Sequence, residues 1–383
     1  MAWLETDVMK QRSLFVLDFE SGLFSMSELC ERYGISRPTG YKWWVRYCDD
    51  GLPGLQDRSR RAQSCPHRTH AAVEQALLEL RRAHPSWGPV TLLQRLRTLD
   101  PQLPLPATST AAEILHRHGL VAPRKRRPKP RHPGRPYVPM CAPNDVWTAD
   151  FKGEFLTRDH RYCYPLTIAD GYSRYLLACR GQRSTALHSA RQSFQAAFRA
   201  YGLPLQILTD NGTPFASTAI GGLSRLSVWW IKLGIHPVRI EPGRPDQNGR
   251  HERMHRTLKA ETTRPPAANL AAQQRRFEHF RQCYNEQRPH QGLKGQVPAA
   301  HYRLSPRPYP EREPEIRYPG HFKVLRVCAN GCLKWHKRFI FITTVLHTEL
   351  LGLEPVDDGL WSVYFGALLL GRISERDYKF WEL

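Results

Sequence analysis

From Asn144 onward the apolar residues change period in an order that few architectures accommodate. Three strand-like runs come first, at 146–151, 162–169 and 175–179. Residues 186–201 then have the spacing of an amphipathic helix. A short apolar strand at 206–210 ends on Asn211-Gly212, 223–233 is helical, and 236–240 is another strand. Two long helices, 248–262 and 270–287, close the region. Three successive strands followed by alternating helix and strand describe a mixed sheet with helices packed against it.

Upstream, the pattern is helical. Val8, Phe15, Val16 and Phe19 share one helix face. Ser25 or Ser27 can cap a second helix, and Gly34 supplies the left-handed turn that ends it. Ser36 caps a third, with Pro38 tolerated in its first turn. Helix, glycine turn and helix form the helix-turn-helix pattern. The third helix would turn Arg37, Thr39, Lys42 and Arg46 toward a DNA major groove, with Tyr41, Trp44 and Val45 packed inward. Amphipathic helices at 71–84, 90–99 and 109–118 make a second small helical domain. The expected boundaries are 1–60 and 66–121. His116 and His118 fall on different helix faces, so no metal pair is expected there.

Charge narrows the choice of partner. The 383 residues hold 56 Lys and Arg against 35 Asp and Glu, a net charge of +21. Residues 1–140 contribute +9, 141–300 +10 and 301–383 only +2. So positive a chain expects a polyanion. Residues 123–136 carry seven positive charges, five prolines and no acid, so 122–143 is read as an extended linker. Its Arg124, Lys125, Arg126, Arg127 and Lys129 match the charge spacing of a phosphate backbone. With 41% apolar residues the chain can bury several cores. No run of about 18 apolar residues and no signal pattern is present, so neither a membrane span nor secretion, and no membrane partner, is expected. Nine irregularly spaced cysteines form no visible disulfide framework, so a reducing cytoplasm is the expected setting.

After a proline-rich linker at 301–319, alternating patterns at 322–327, 337–342, 361–365 and 368–373 predict a small β-barrel over 320–383. Cys328, Cys332, His336 and His321 fit no common zinc spacing.

Three acids stand out by context. Asp150 closes an apolar strand, Asp210 ends another, and Glu252 falls within the helix after the polar turn 243–249. Strand ends hold carboxylates rigidly, and a helix can bring a third to the same point. Two hard divalent cations need such a set.

The surrounding residues identify the pattern. Trp147-Thr148-Ala149-Asp150-Phe151-Lys152-Gly153, Leu208-Thr209-Asp210-Asn211-Gly212 and the run from Pro245 through Glu252 to Lys259 resemble the three signature blocks of integrase-core DDE transposases, the bacterial insertion-sequence enzymes related to retroviral integrases. The resemblance spans about residues 20–300. It implies a multidomain α/β protein: N-terminal helix-turn-helix domains, an RNase H-like mixed-sheet core at 144–300, and an SH3-like barrel at the end. It implies Asp150, Asp210 and Glu252 as catalytic acids holding two Mg²⁺ ions, with Mn²⁺ an acceptable substitute. The implied partners are double-stranded transposon ends and target DNA, bound by a dimer or tetramer, while an accessory ATPase is left open. The implied reaction frees a 3′-hydroxyl at the transposon end by metal-activated hydrolysis and then joins it to target DNA.

Positions three, four and seven beyond Glu252 share its helix face, so His255, Arg256 and Lys259 are expected along the DNA, with Asn248, Arg250 and Arg253 flanking. The interval from Asp210 to Glu252 holds 41 residues, several more than the family usually has, and the excess is expected as a surface insertion within 213–224. Asp170 is expected to set the second and third strands together with Arg174. A DNA-binding repressor derived from such an enzyme is the alternative, and a plain nuclease of the same fold a third reading.

Overall fold

A computed structural model describes residues 7–58, 68–121 and 138–382. They fall into two compact units, divided between Arg68 and Thr69.

The first unit holds α1 (Val8–Glu20), α2 (Met26–Arg32) and α3 (Arg37–Asp50). Ser25 and Glu28 form a reciprocal capping box at the start of α2. Gly34, at φ 63°, makes the turn into α3. Phe15, Val16, Leu29, Trp43 and Leu55 form the core. The inward face of α3 differs from the expected one. Tyr41 and Val45 are exposed, while Gly40 and Trp43 are buried. A Cβ on Gly40 would stand 2.7 Å from Cys30 Sγ and 2.8 Å from Met26 Sδ, so only glycine lets α3 seat this deeply. The close approach selects the face carrying residues 40, 43, 44 and 47.

The second unit begins with α4 (Ala71–Ala83), α5 (Pro89–Leu99) and α6 (Thr108–Arg117), packed around Leu77, Trp87, Leu92 and Leu115. Next come β1 (Val146–Phe151), the short β2 (Phe155–Leu156), β3 (Tyr162–Asp170) and β4 (Leu176–Gln182). Helix α7 (Leu187–Tyr201), β5 (Gln206–Thr209), α8 (Arg225–Lys232) and β6 (His236–Arg239) follow, then α9 (Gly249–Thr262) and α10 (Leu270–Gln282). The sheet runs β2-β3-β1-β5-β6, with β4 also on β3. Strands β1 and β3 are antiparallel, and β1, β5 and β6 are parallel. Phe194, Phe198, Trp229 and Trp230 of α7 and α8 pack against Trp147, Ile168 and Ile207. Met254, Leu258, Phe277 and Phe280 of α9 and α10 pack with Cys163, Leu176 and Cys179. Cys283, just after α10, joins the α4–α6 core, which ties that helical bundle to the sheet domain.

The C-terminal region is antiparallel: β7 (Lys323–Arg326), β8 (Cys332–Trp335), β9 (Arg338–Phe341), β10 (Leu350–Asp357), β11 (Leu360–Phe365), β12 (Leu368–Ser374) and β13 (Lys379–Glu382). The expected barrel takes the form of a five-stranded sheet, β13-β12-β11-β10-β7, with the β8–β9 hairpin sharing its core. The segment expected as a surface insertion is not one. Ile220 and Leu223 are buried with Leu351 and Phe365, and the Gly221 N–H donates to Glu382. Ile220, Gly221 and Leu223 form a seam between the sheet domain and the C-terminal sheet.

Candidate active site

The parallel pairing of β1 with β5 aligns Thr148 with Leu208. Asp150 and Asp210 each lie two residues further on, so two carboxylates stand at matching positions where neighbouring strands end. Asp210 is half-buried and its Oδ1 accepts the Gly212 N–H at 3.1 Å. Glu252 is exposed in the first turn of α9, where the helix dipole favours negative charge. Asp210 and Glu252 both act on Asp150. Burial, and after it the charge of Asp210, push the Asp150 carboxyl up to about 7; Glu252 adds to this, and Lys152 and the Phe151 N–H oppose it.

Beneath Asp150 lies a buried polar layer. Thr167, opposite Asp150 on β3, donates its hydroxyl to the Asp150 backbone carbonyl at 3.0 Å. The same oxygen is 2.7 Å from His251 Nε2 and 2.6 Å from His255 Nε2. Thr148 Oγ1 is 2.8 Å from His251 Nδ1. His255 Nδ1 stands 3.5 Å from Asp150 Oδ2. Burial lowers both histidines, His251 to about 3 and His255 further because His251 and Lys152 add to it, so both rings are neutral. The i, i+4 spacing of His251 and His255 is a visible sequence signal for one helix face. That the threonines of β1 and β3 complete the layer is decided by tertiary pairing.

His255 is therefore a correction. It was expected along DNA and is buried against the sheet, because Met254, His255 and Leu258 form the inward stripe of α9. Asn248 is buried as well, its Oδ1 without a hydrogen-bond partner among the described residues. Arg250 is half-buried and donates to the Gly171 carbonyl at 3.0 Å. Arg253, Arg256 and Lys259 are exposed on the outer side of α9, the side that carries Glu252. Arg174 does not pair with Asp170, whose carboxylate accepts from the Asn144 N–H and from the Ser173 N–H and hydroxyl. Instead Arg174 joins a cationic group: burial lowers it first, then the charges of Arg250 and Arg253.

In the first unit Arg37 and Lys42 are exposed. Thr39 shares a 2.9 Å hydrogen bond with Ser36, which makes no backbone cap. Lys42 Nζ and the Arg46 guanidinium lie 4.7 and 5.1 Å from the Trp43 ring centroid. Arg124, Lys125, Arg126, Arg127 and Lys129 lie outside the described residues.

The donor set suits a divalent cation. Ligand atoms of Asp150, His251 and His255 lie within 4.8 Å of one another, and among the described residues no other such group of three occurs. Asp210 and Glu252 perturb Asp150 but do not form such a group with it. Cys328, Cys332 and His336 form no comparable cluster.

Comparison with known proteins gives consistent matches. Integrase core domain families match residues 141–245 and 233–298, which between them contain Asp150, Asp210 and Glu252. A helix-turn-helix domain matches 13–62 and a homeodomain-like domain 39–115. The chain is 29% identical over 257 residues to a protein of insertion element IS476 from Xanthomonas euvesicatoria, covering 66% of this chain and 70% of that one. A protein of insertion element IS407 from Burkholderia multivorans is 31% identical over 161 residues, 41% of this chain and 55% of the relative. The catalytic core domain of HTLV-2 integrase, solved in complex with magnesium, matches at 16% identity and a TM-score of 0.35, over 43% of this chain and 99% of that one.

Proposed function

We propose that the chain is an integrase-core transposase of a bacterial insertion sequence, in line with its integrase core domain matches and its insertion-element relatives, and that it cuts the ends of its element and joins the freed 3′-hydroxyls to target DNA. Asp150, Asp210 and Glu252 are the acids of this reaction. The observation that carries the reading is the Asp150 carboxyl at a strand end, pushed up to about 7 by burial first, then by the charge of Asp210 at the neighbouring strand end, with Glu252 of α9 adding to it. Carboxylates gathered this way are stable when cations separate them. Magnesium or manganese ions held by the three acids would neutralise charge on the reacting phosphate and favour an ionised attacking oxygen.

The remaining residues bind and orient. Arg253, Arg256 and Lys259 line the exposed side of α9 beside Glu252 and engage phosphates leading to the acids. Arg250, held by the Gly171 carbonyl, and Arg174 add positive charge whose mutual repulsion an anionic strand relieves. The α2–α3 pair reads the terminal repeats through Arg37, Lys42 and Arg46, and the second helical bundle, α4–α6, extends that contact. Joining two ends calls for two or more copies of the chain on DNA.

An end-containing duplex incubated with the protein and Mg²⁺ tests this. Nicked ends and strands joined to a target plasmid are expected. Sequence-specific binding with no cleavage would leave a repressor instead, and cleavage with no joined product a nuclease.

A further inference from the structure

We propose that His255 Nδ1 is a nitrogen donor to the divalent cation held at Asp150, presented in the required tautomer by Thr167. The inference rests on the reading that Asp150 holds such a cation, and adds a ligand that is not an acid.

Proton counting around Thr167 leads to it. A threonine hydroxyl has one hydrogen to donate and two lone pairs to accept with. The hydrogen of Thr167 goes to the Asp150 backbone carbonyl at 3.0 Å. Both lone pairs then face ring nitrogens, His251 Nε2 at 2.7 Å and His255 Nε2 at 2.6 Å. Each Nε2 must therefore carry the hydrogen, and in a neutral ring this leaves each Nδ1 bare.

The two bare nitrogens differ in what they meet. His251 Nδ1 faces the Thr148 hydroxyl at 2.8 Å, which can donate to it in preference to the Ala169 carbonyl 3.3 Å away, so both nitrogens of His251 are spoken for by threonines. His255 Nδ1 faces Asp150 Oδ2 at 3.5 Å. Two lone pairs so placed repel unless a proton on Asp150 or a cation lies between them, and the cation takes the proton's place when the carboxyl is ionised. Ligand atoms about 2.1 Å from one cation stand roughly 3 Å apart at a right angle and further at wider angles, so this pair is spaced to chelate. Fixing a metal-binding imidazole through its other nitrogen is the usual way a protein orients such a ligand. His255 is 3% exposed, so its ring cannot swing out to another role.

The consequence is a site softer than one made of carboxylates alone. Imidazole nitrogen favours manganese, cobalt and zinc over magnesium.

The test uses the full chain with Mn²⁺ alone, read by pulsed electron paramagnetic resonance. The expected spectrum shows nitrogen coupling to a bound Mn²⁺. That coupling changes to the ¹⁵N pattern when the protein carries ¹⁵N-histidine, and it disappears in Asp150→Asn. In folded His255→Asn the coupling is lost, Mn²⁺ binds about tenfold more weakly, and the preference for Mn²⁺ over Mg²⁺ contracts. His251→Asn keeps the coupling. Should His255→Asn fail to fold, the labelled wild-type protein still decides. Mn²⁺ that depends on Asp150 but shows no histidine coupling, or coupling that survives folded His255→Asn, overturns this inference and leaves the acid site standing. Binding that is indifferent to Asp150→Asn overturns the metal reading of Asp150 itself.

Discussion

Asp150 and Asp210 sit at equivalent positions on adjacent parallel strands, each two residues beyond the paired Thr148 and Leu208. The register makes the two carboxylates neighbours, and α9 adds Glu252 to the pair. Asp150→Asn, Asp210→Asn and Glu252→Gln are each expected to lower strand joining by at least about a hundredfold while sparing binding to the element ends. Gel-shift and joining assays on the same preparations check this; joining retained in any of the three removes that acid from its role.

The same proximity has a cost that pH exposes. The Asp150 carboxyl titrates near 3.8 when unfolded and at about 7 in the folded protein, raised first by burial and then by Asp210. Between those values the folded state holds more protons than the unfolded state, so metal-free stability falls as pH rises from about 4 to about 7, at up to about 1.4 kcal/mol per pH unit. Asp150→Asn is expected to melt several degrees higher than the wild type at pH 8, with the advantage gone at pH 4. Millimolar Mg²⁺ should raise the wild type and leave Asp150→Asn unchanged. Thermal melts across pH, with and without the cation, provide the measurement.

Salt dependence separates phosphate contacts from structural cations. Arg256 and Lys259 are exposed on α9, while Arg250 is tied to the Gly171 carbonyl. Replacing Arg256 and Lys259 together by Gln should reduce the slope of log affinity against log salt by about 2, at unchanged thermal stability. Arg250→Gln should instead destabilise the loop at Gly171. An unchanged slope in the double variant would place the DNA elsewhere.

Gly40 is where the helix-turn-helix unit is least tolerant. A Cβ there meets Cys30 Sγ at 2.7 Å, Met26 Sδ at 2.8 Å and Phe15 Cζ at 3.0 Å. Gly40→Val is expected to cost this unit about 2 kcal/mol through overpacking and to weaken end binding, leaving the melting of the larger unit unaffected. Circular dichroism melts resolve the two transitions, and a single shared shift would contradict the division at Arg68.

What the sequence by itself determined is whatever local pattern and chemistry can encode. Helix spacing located α1 to α10, capping serine and turn glycine marked the step from α2 to α3, and strand alternation located β1 and β3 to β6. Asp150 and Asp210 stood out as acids at strand ends and Glu252 as one in the helix after a polar turn, and the resemblance of the blocks around them to integrase-core transposases implied them as a set. Strand β10 was missed since Gly352 and Pro355 interrupt its alternation, and β2 since two residues carry no period.

Only tertiary structure decided which face of a helix turns inward and what lies beneath a site. Tyr41 and Val45 lost to Gly40 and Trp43 because a glycine contact, set by Cys30 and Met26 on another helix, outweighs side-chain hydrophobicity. The insertion at 213–224 became a seam because Ile220 and Leu223 found apolar partners far along the chain. His255 moved from the DNA face to the buried layer beneath Asp150 because Thr167 on β3 and Thr148 on β1 present hydroxyls where α9 crosses the sheet. Those hydroxyls and the two imidazoles are separated by about 80 residues or more in sequence, and nothing but strand pairing and helix packing brings them within hydrogen-bond reach.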